Sequence, residues 1–175
     1  MIQWVSADSE EDRENGVRFL CRNGEKLGVP YKWSTVMSSL SCSLNENGFM
    51  IALDDYGQVG GALAYTYGTG EDDYENRSRI EVHLLYIDKP FRGEKALVET
   101  IQALSSHVLA LPQRIGEIGF YCVPAKGNRR LYGKCATIRN TKLHPCGILD
   151  FYTAAPESLR QYAVSRMARE KTERE

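Results

Sequence analysis

The sequence predicts an α/β domain on a mixed sheet, antiparallel at both ends with a parallel pair of strands in the middle, and helices on both faces. Three observations carry this. "GFMIALDD" and "VGGALAYTYG" flank the turn "DYGQ", which is the pattern of an antiparallel hairpin. Residues 80–123 read as strand, helix and strand with short links, a right-handed crossover that leaves its two strands parallel. "ATIRNTKLH" followed by "CGILDFYTAA" makes a closing antiparallel pair. One crossover is too few for a doubly wound dinucleotide fold.

Taken in order, residues 1–7 read as a short strand. A helix then starts at Ser9, an N-cap followed by acidic residues, and runs to about Lys26, before Gly28 and Pro30. "WSTVMSSLSCSL" gives a second helix, stopped by "NENG". After the hairpin, "TGEDDYENRS" is a polar loop whose composition makes it the most mobile interior segment. Ile80, Val82, Leu84 and Tyr86 alternate with Glu81, His83, Leu85 and Ile87, a strand buried on both faces at its end. Pro90 stops it. From Gly93, the residues Leu97, Ile101, Leu104, Val108 and Leu111 recur at helical spacing, one stripe packing on the sheet, and Pro112 ends that helix. "RIGEIGFYCV" is the next strand, and "AKGNRRLYGKCA" makes a short helix. Residues 1–154 form one domain; residues 155–175 are a charged, helical tail. Trp4, Tyr31, Trp33 and Phe49 read as core.

Composition narrows the function. A chain of 175 residues with 42% hydrophobic and 26% charged content is an ordinary soluble domain with a real core. It carries no apolar run long enough for a membrane span and no signal-peptide layout at its start. Five cysteines without CxxC or zinc spacing read as free thiols of a reducing cytoplasm, and His144 with Cys146 offers too few ligands for a metal. The charge is unevenly spread. Residues 1–90 hold 8 Lys/Arg against 15 Asp/Glu, net −7, and residues 91–175 hold 14 against 8, net +6. An anionic ligand is therefore better received by the second half.

The junction "LLYIDKPFRGEKALVETIQAL" shows where. A helix start has unpaired N–H groups and a partial positive charge that suit phosphate. Arg92 adds a fork of donors, Gly93 lets the backbone come close, and Lys95 adds charge. Together with the element order over residues 1–154, this junction and "VPAKGNRRLYGKCATIRN" resemble the GNAT acetyltransferase superfamily. The first stretch is similar to the acetyl-CoA motif Arg/Gln-x-x-Gly-x-Gly/Ala that follows a strand and a proline. Lys95 stands at the first glycine position and Leu97 at the second small one, with Ala96 between them. The second stretch is similar to Asn-x-x-Ala-x-x-Leu-Tyr-x-Lys: Leu131, Tyr132 and Lys134 fit, and Ala125 and Asn128 appear in exchanged places.

The resemblance implies acetyl-CoA as acyl donor. Its pyrophosphate would lie on the N–H groups of Gly93, Glu94, Lys95, Ala96 and Leu97 beside Arg92, with Asn128 nearby. Its pantetheine arm would pair with backbone at Leu85, Tyr86 and Ile87. Tyr132 takes the position of the general acid near the thioester sulfur. Glu81 and His83, two apart on a strand and so on one face, are the candidate bases, His83 titrating nearer neutrality. "GVPYKWSTVM" and the acidic "GEDDYEN" loop would wall the acceptor side, for a small-molecule amine or a peptide. Two alternatives stand beside this N-acetyltransferase: a GNAT-like binding or structural module without catalysis, and a nucleic-acid-directed enzyme. The latter is suggested by residues 89–142, with 10 Lys/Arg against 3 Asp/Glu. No membrane partner is expected, and an exposed sheet edge would allow a homodimer.

Overall fold

A computed structural model of the chain describes residues 2–172. Met1, expected in the first strand, and the last three residues of the charged tail lie outside the described residues. The chain runs β1 (Gln3–Ser6), α1 (Glu10–Arg22), α2 (Trp33–Asn45), β2 (Phe49–Leu53), β3 (Val59–Tyr67), β4 (Arg79–Ile87) and α3 (Glu94–Leu109). It continues with β5 (Glu117–Cys122), α4 (Lys126–Tyr132), β6 (Thr137–His144), β7 (Gly147–Ala154) and α5 (Pro156–Thr172). The seven strands form one sheet in the order β1-β2-β3-β4-β5-β7-β6, with β4 and β5 parallel and every other pair antiparallel. The predicted mixed sheet is thus the observed one. The strand order at the far end was not read from the sequence: β7 slots between β5 and β6 and leaves β6 as the edge.

Each face carries its own core. On one side Phe19 and Leu20 of α1 and Val36 and Leu40 of α2 pack on Ile51, Ala62, Ala64, Leu84 and Tyr86. On the other, Leu104 and Val108 of α3 and Leu159 of α5 cover Met50, Leu63, Tyr65, Ile80 and Ile118. The Tyr65 hydroxyl, buried in this layer, is hydrogen-bonded to His107 Nε2 at 2.9 Å, as burial of a phenol requires. The tail is more than a charged appendage: Leu159 and Ala163 are buried as α5 packs along α3. Among the described residues no helix is long and apolar enough to cross a membrane.

Three local expectations are corrected. The first helix stops at Arg22, because Asn23 caps it, its Nδ2 donating to the Phe19 carbonyl at 3.0 Å; residues Gly24–Lys26 form a separate 3-10 turn. Trp33 is 46% exposed at the start of α2 and not core, whereas Phe49 is 2% exposed. The regular alternation read into β4 breaks at His83. Against β3, Tyr65 faces Val82 and Ala64 faces Leu84, so His83 is a bulge residue. Ile80 and Val82 therefore belong to the α3 side, while Leu84 and Tyr86 belong to the α1/α2 side.

The close seating of α1 rests on Gly16, where a Cβ would come within 2.5 Å of the Phe49 ring and 2.7 Å of Ile51. Gly16→Val should cost about 1–3 kcal/mol through overpacking, read as a lower midpoint in urea unfolding. A midpoint unchanged from the parent would show that α1 is not held this closely.

Candidate active site

Parallel pairing between β4 and β5 runs only from Arg79–Glu117 to Val82–Phe120, although β4 continues to Ile87 and β5 to Cys122. Beyond Val82 the two strands part. Each is held on its other edge, β4 by β3 as far as Ile87 and β5 by β7 as far as Cys122. Among the described residues the β5-facing backbone of β4 from His83 onward thus has no strand partner. A cleft of about 220 Å³ opens there, lined by Leu97 and Ile101 of α3, Leu85 of β4, Phe120 and Cys122 of β5, Asn128 and Tyr132 of α4, and Val29 to Tyr31 before α2. Its walls are largely apolar, so a ligand laid along it loses water on most of its surface.

Several residues named from the sequence converge on this cleft: His83, Leu85, Leu97, Asn128 and Tyr132. Asn128 Nδ2 donates to the Val123 carbonyl at 3.0 Å. The Tyr132 ring meets Phe120 edge-on at 5.0 Å and Tyr152 at 5.7 Å. Burial, with the Cys122 and Cys135 thiols adding to it, pushes the Tyr132 hydroxyl above its ordinary pKa. At neutral pH it holds its proton and remains a donor.

Other named residues do not reach the cleft with their side chains. Tyr86 is buried on the α1/α2 side, its hydroxyl donating to Asn23 Oδ1 at 3.3 Å. Arg92 folds back over the Tyr86 ring at 5.0 Å, and its Nε donates to the Ile87 carbonyl at 2.6 Å. Gly93, the N-cap of α3, is extended backbone with open space where a side chain would stand. Glu94 is paired with Arg166 of α5 and lies 4.0 Å from Lys134 Nζ, Lys95 reaches along the helix to Glu99 at 3.5 Å, and Ala96 is buried.

Glu81 and His83 do meet. Glu81 is 3% exposed; its Oε1 lies 3.1 Å from His83 Nδ1 and its Oε2 accepts the Gly70 N–H at 2.7 Å. His83 Nε2 is 2.7 Å from Thr66 Oγ1. Three tyrosines surround this pair, none of them named as a site residue and Tyr31 expected in the core. Burial and then the Glu81 charge raise the hydroxyl pKa of Tyr31, and push that of Tyr74 up to about 12. Tyr121 is raised by burial and then by its hydrogen bond to Glu71. A Cβ at Gly70 would stand 3.4 Å from the Tyr121 hydroxyl and 3.6 Å from both Glu81 Oε2 and the Tyr74 hydroxyl, so these groups converge on one spot. Tyr74 reaches it from left-handed backbone, with φ 62° after φ 52° at Asp73, a conformation that tertiary contacts must hold.

The polar loop of residues 69–78 is tied to the sheet by side-chain contacts that its composition did not announce. Glu71 accepts from the Tyr121 hydroxyl at 2.8 Å, Asn140 Nδ2 at 2.5 Å and Lys142 Nζ at 2.8 Å, latching the loop to β5 and β6. Asp72 pairs with Arg79 at 3.1 Å. Tyr31 and Tyr74 stood inside the two quoted wall segments, but nothing local marked their shared orientation toward Glu81. The Glu71 partners lie 50 or more residues away, beyond any local pattern.

No protein-family model matches the sequence, and no curated protein matches it significantly. Solved structures match the fold. A chain of the NatC complex bound to Gag peptide and CoA superposes with a TM-score of 0.61 at 16% identity, covering 88% of this chain and 98% of that one. The ribosomal-protein-S5-alanine acetyltransferase of Vibrio fischeri gives 0.60 at 10%, covering 89% and 92%. An N-acetyltransferase from Staphylococcus aureus Mu50 gives 0.60 at 14%, covering 89% and 99%. The chain has the GNAT fold, as its sequence order implied.

The latch carries a pH signature. Burial would raise the Glu71 carboxyl, but hydrogen bonds from Lys142, Tyr121 and Asn140 outweigh it and hold the group below its usual range. A carboxylate depressed in the folded state stabilises above its unfolded pKa and loses that contribution as pH falls through the folded one. Thermal stability should therefore fall more steeply below about pH 4 in the parent than in Glu71→Gln. Parallel curves would show that the latch carries no net charge-dependent stability.

Proposed function

We propose that this protein is an acyl-CoA-dependent N-acyltransferase that moves acetyl from acetyl-CoA directly to a primary amine. The observation that carries it is the parting of β4 and β5 beyond Val82–Phe120, which leaves free strand backbone beside an apolar cleft with Tyr132 on its wall. The residues present fit the donor. Gly93 offers an uncapped, open helix start for a pyrophosphate, and Arg92 is within reach once released from the Ile87 carbonyl. Backbone at Leu85, Tyr86 and Ile87 would take the pantetheine amides. Acetyl-CoA supplies an activated thioester carbonyl. Around it, Tyr132 gives its proton to the departing thiolate as the amine nitrogen forms the new amide bond. The proton lost by the ammonium passes through water to the Glu81–His83 pair, whose oxygens and nitrogens are already engaged with Gly70, Thr66 and each other. The tyrosine hydroxyls around Glu81 suit an ammonium before it is deprotonated. The peptide-bound NatC neighbour and the S5-alanine acetyltransferase support a peptide amine alongside small amines as acceptor. The free thiols of all five cysteines agree with a reducing cytoplasm.

One observation favours the alternative of a module without catalysis: both Glu81 oxygens and both His83 nitrogens already have partners. The two readings separate by experiment. Calorimetry with acetyl-CoA should give saturable micromolar binding, weakened about tenfold in Arg92→Ala, a loss of about 1.4 kcal/mol. A panel of primary amines and N-terminally free peptides should then yield acetyl transfer, with kcat lowered roughly 100-fold in Tyr132→Phe. Binding without transfer to any acceptor would favour the module; no binding at millimolar acetyl-CoA would remove the acyltransferase altogether.

A further inference from the structure

We infer that the Arg129–Asp150 ion pair is a positioning clamp that sets Tyr132 in the cleft, an inference that rests on the acyltransferase reading. Helix α4 spans seven residues, Lys126–Tyr132, and its N-cap, Ala125, has no side chain to cap it. A helix this short does not hold itself together; nucleation alone outweighs its few hydrogen bonds. Something outside must fix it, and β7 does so at two points.

Asp150 is 0% exposed, and hydrogen bonds from Arg129, outweighing burial, hold its carboxyl below the usual range. Arg129 approaches with its fork, Nε to Oδ2 at 2.7 Å and Nη2 to Oδ1 at 2.9 Å. Thr141 Oγ1 donates to Oδ1 at 2.6 Å, tying β6 into the same point. Tyr152, two residues along the strand and so on the same face of β7, stacks on Phe120 at 5.1 Å and meets the Tyr132 ring at 5.7 Å. Arg129 and Tyr132 are three apart on α4 and so share one side of the helix. One strand therefore grips one helix face through a charge pair and an aromatic contact.

Asp150 is buried but the Arg129 side chain is 48% exposed, so solvent screens the pair and limits what it adds to stability. What two parallel hydrogen bonds add is direction, because they fix the rotation of the helix about its axis. On α4 that rotation decides whether the Tyr132 hydroxyl faces the cleft. Arg129 and Asp150 are thus positioning residues, acting through Tyr132 without touching the substrate.

The test compares the parent, Arg129→Met/Asp150→Leu, Arg129→Lys and Tyr132→Phe. Transfer is measured from acetyl-CoA to an N-terminally free alanine peptide, or to the fastest amine of the panel. The apolar double variant should fold, show faster amide exchange confined to residues 126–132, and lose about tenfold in kcat. Its KM for acetyl-CoA should stay within about threefold. Arg129→Lys, which keeps the charge and one hydrogen bond, should be intermediate, and it carries the test if the double variant does not fold. Added to Tyr132→Phe, loss of the clamp should cost nothing more, because both act through one hydroxyl. A parent-like kcat in the clamp variants, or a loss that adds in full to Tyr132→Phe, overturns the inference. Full activity in Tyr132→Phe would instead remove the acid role itself, and the clamp with it.

Discussion

Everything at the site depends on one feature: β4 and β5 part past Val82–Phe120. Beyond that point β4 stays with β3 through Ile87 and β5 with β7 through Cys122, each keeping only its outer neighbour. The bulge at His83 adds local twist to β4 just where pairing ends. A sheet that zipped fully would leave no cleft, no unpaired strand backbone and no opening for α3 and α4 to overlook. The parting turns a sheet into a receptacle, and the helix that follows each strand places its first turns at the rim.

The two ends of the cleft differ in chemistry for reasons that lie in the fold. Toward α3 the chain turns basic, with Arg92, Lys95, Lys134 and Arg166 offset by Glu94 and Glu99. Toward the β3–β4 loop it presents Glu81 among tyrosine hydroxyls. The loop reaches that place because Glu71 ties it to strands that come much later in sequence. The same logic recurs at α4, which is too short to stand unaided and is fixed from β7. In both cases a buried or half-buried carboxylate sets the pose of a tyrosine.

Much of this was legible in the sequence. The hairpin, the single crossover and the closing pair followed from turn residues and hydrophobic period, because those signals are local. The junction from Leu84 to Leu104 announced a strand end feeding a helix start, and its flanks, Leu84 and Leu85 on the strand and Leu97, Ile101 and Leu104 on the helix, line the cleft. The bulge at His83 was not legible, since nothing in a run of alternating residues says which one will be skipped. Nor was the fate of Arg92, whose guanidinium turns to the Ile87 carbonyl and the Tyr86 ring. The acidic loop read as mobile because its composition is that of a solvated turn; its partners Tyr121, Asn140 and Lys142 are far along the chain. Trp33 went the other way, an aromatic assumed to be core that sits half-exposed at a helix start.

The central claim is that the parted strands hold the acyl donor by backbone pairing. The most direct measurement is residue-resolved amide exchange, or amide chemical shifts, with and without acetyl-CoA. The account predicts that protection and shifts appear in residues 84–87 of β4 and at the start of α3, and not along β1, β2 or the β6 edge. Changes confined to other surfaces, or none along β4 at saturating acetyl-CoA, would contradict it.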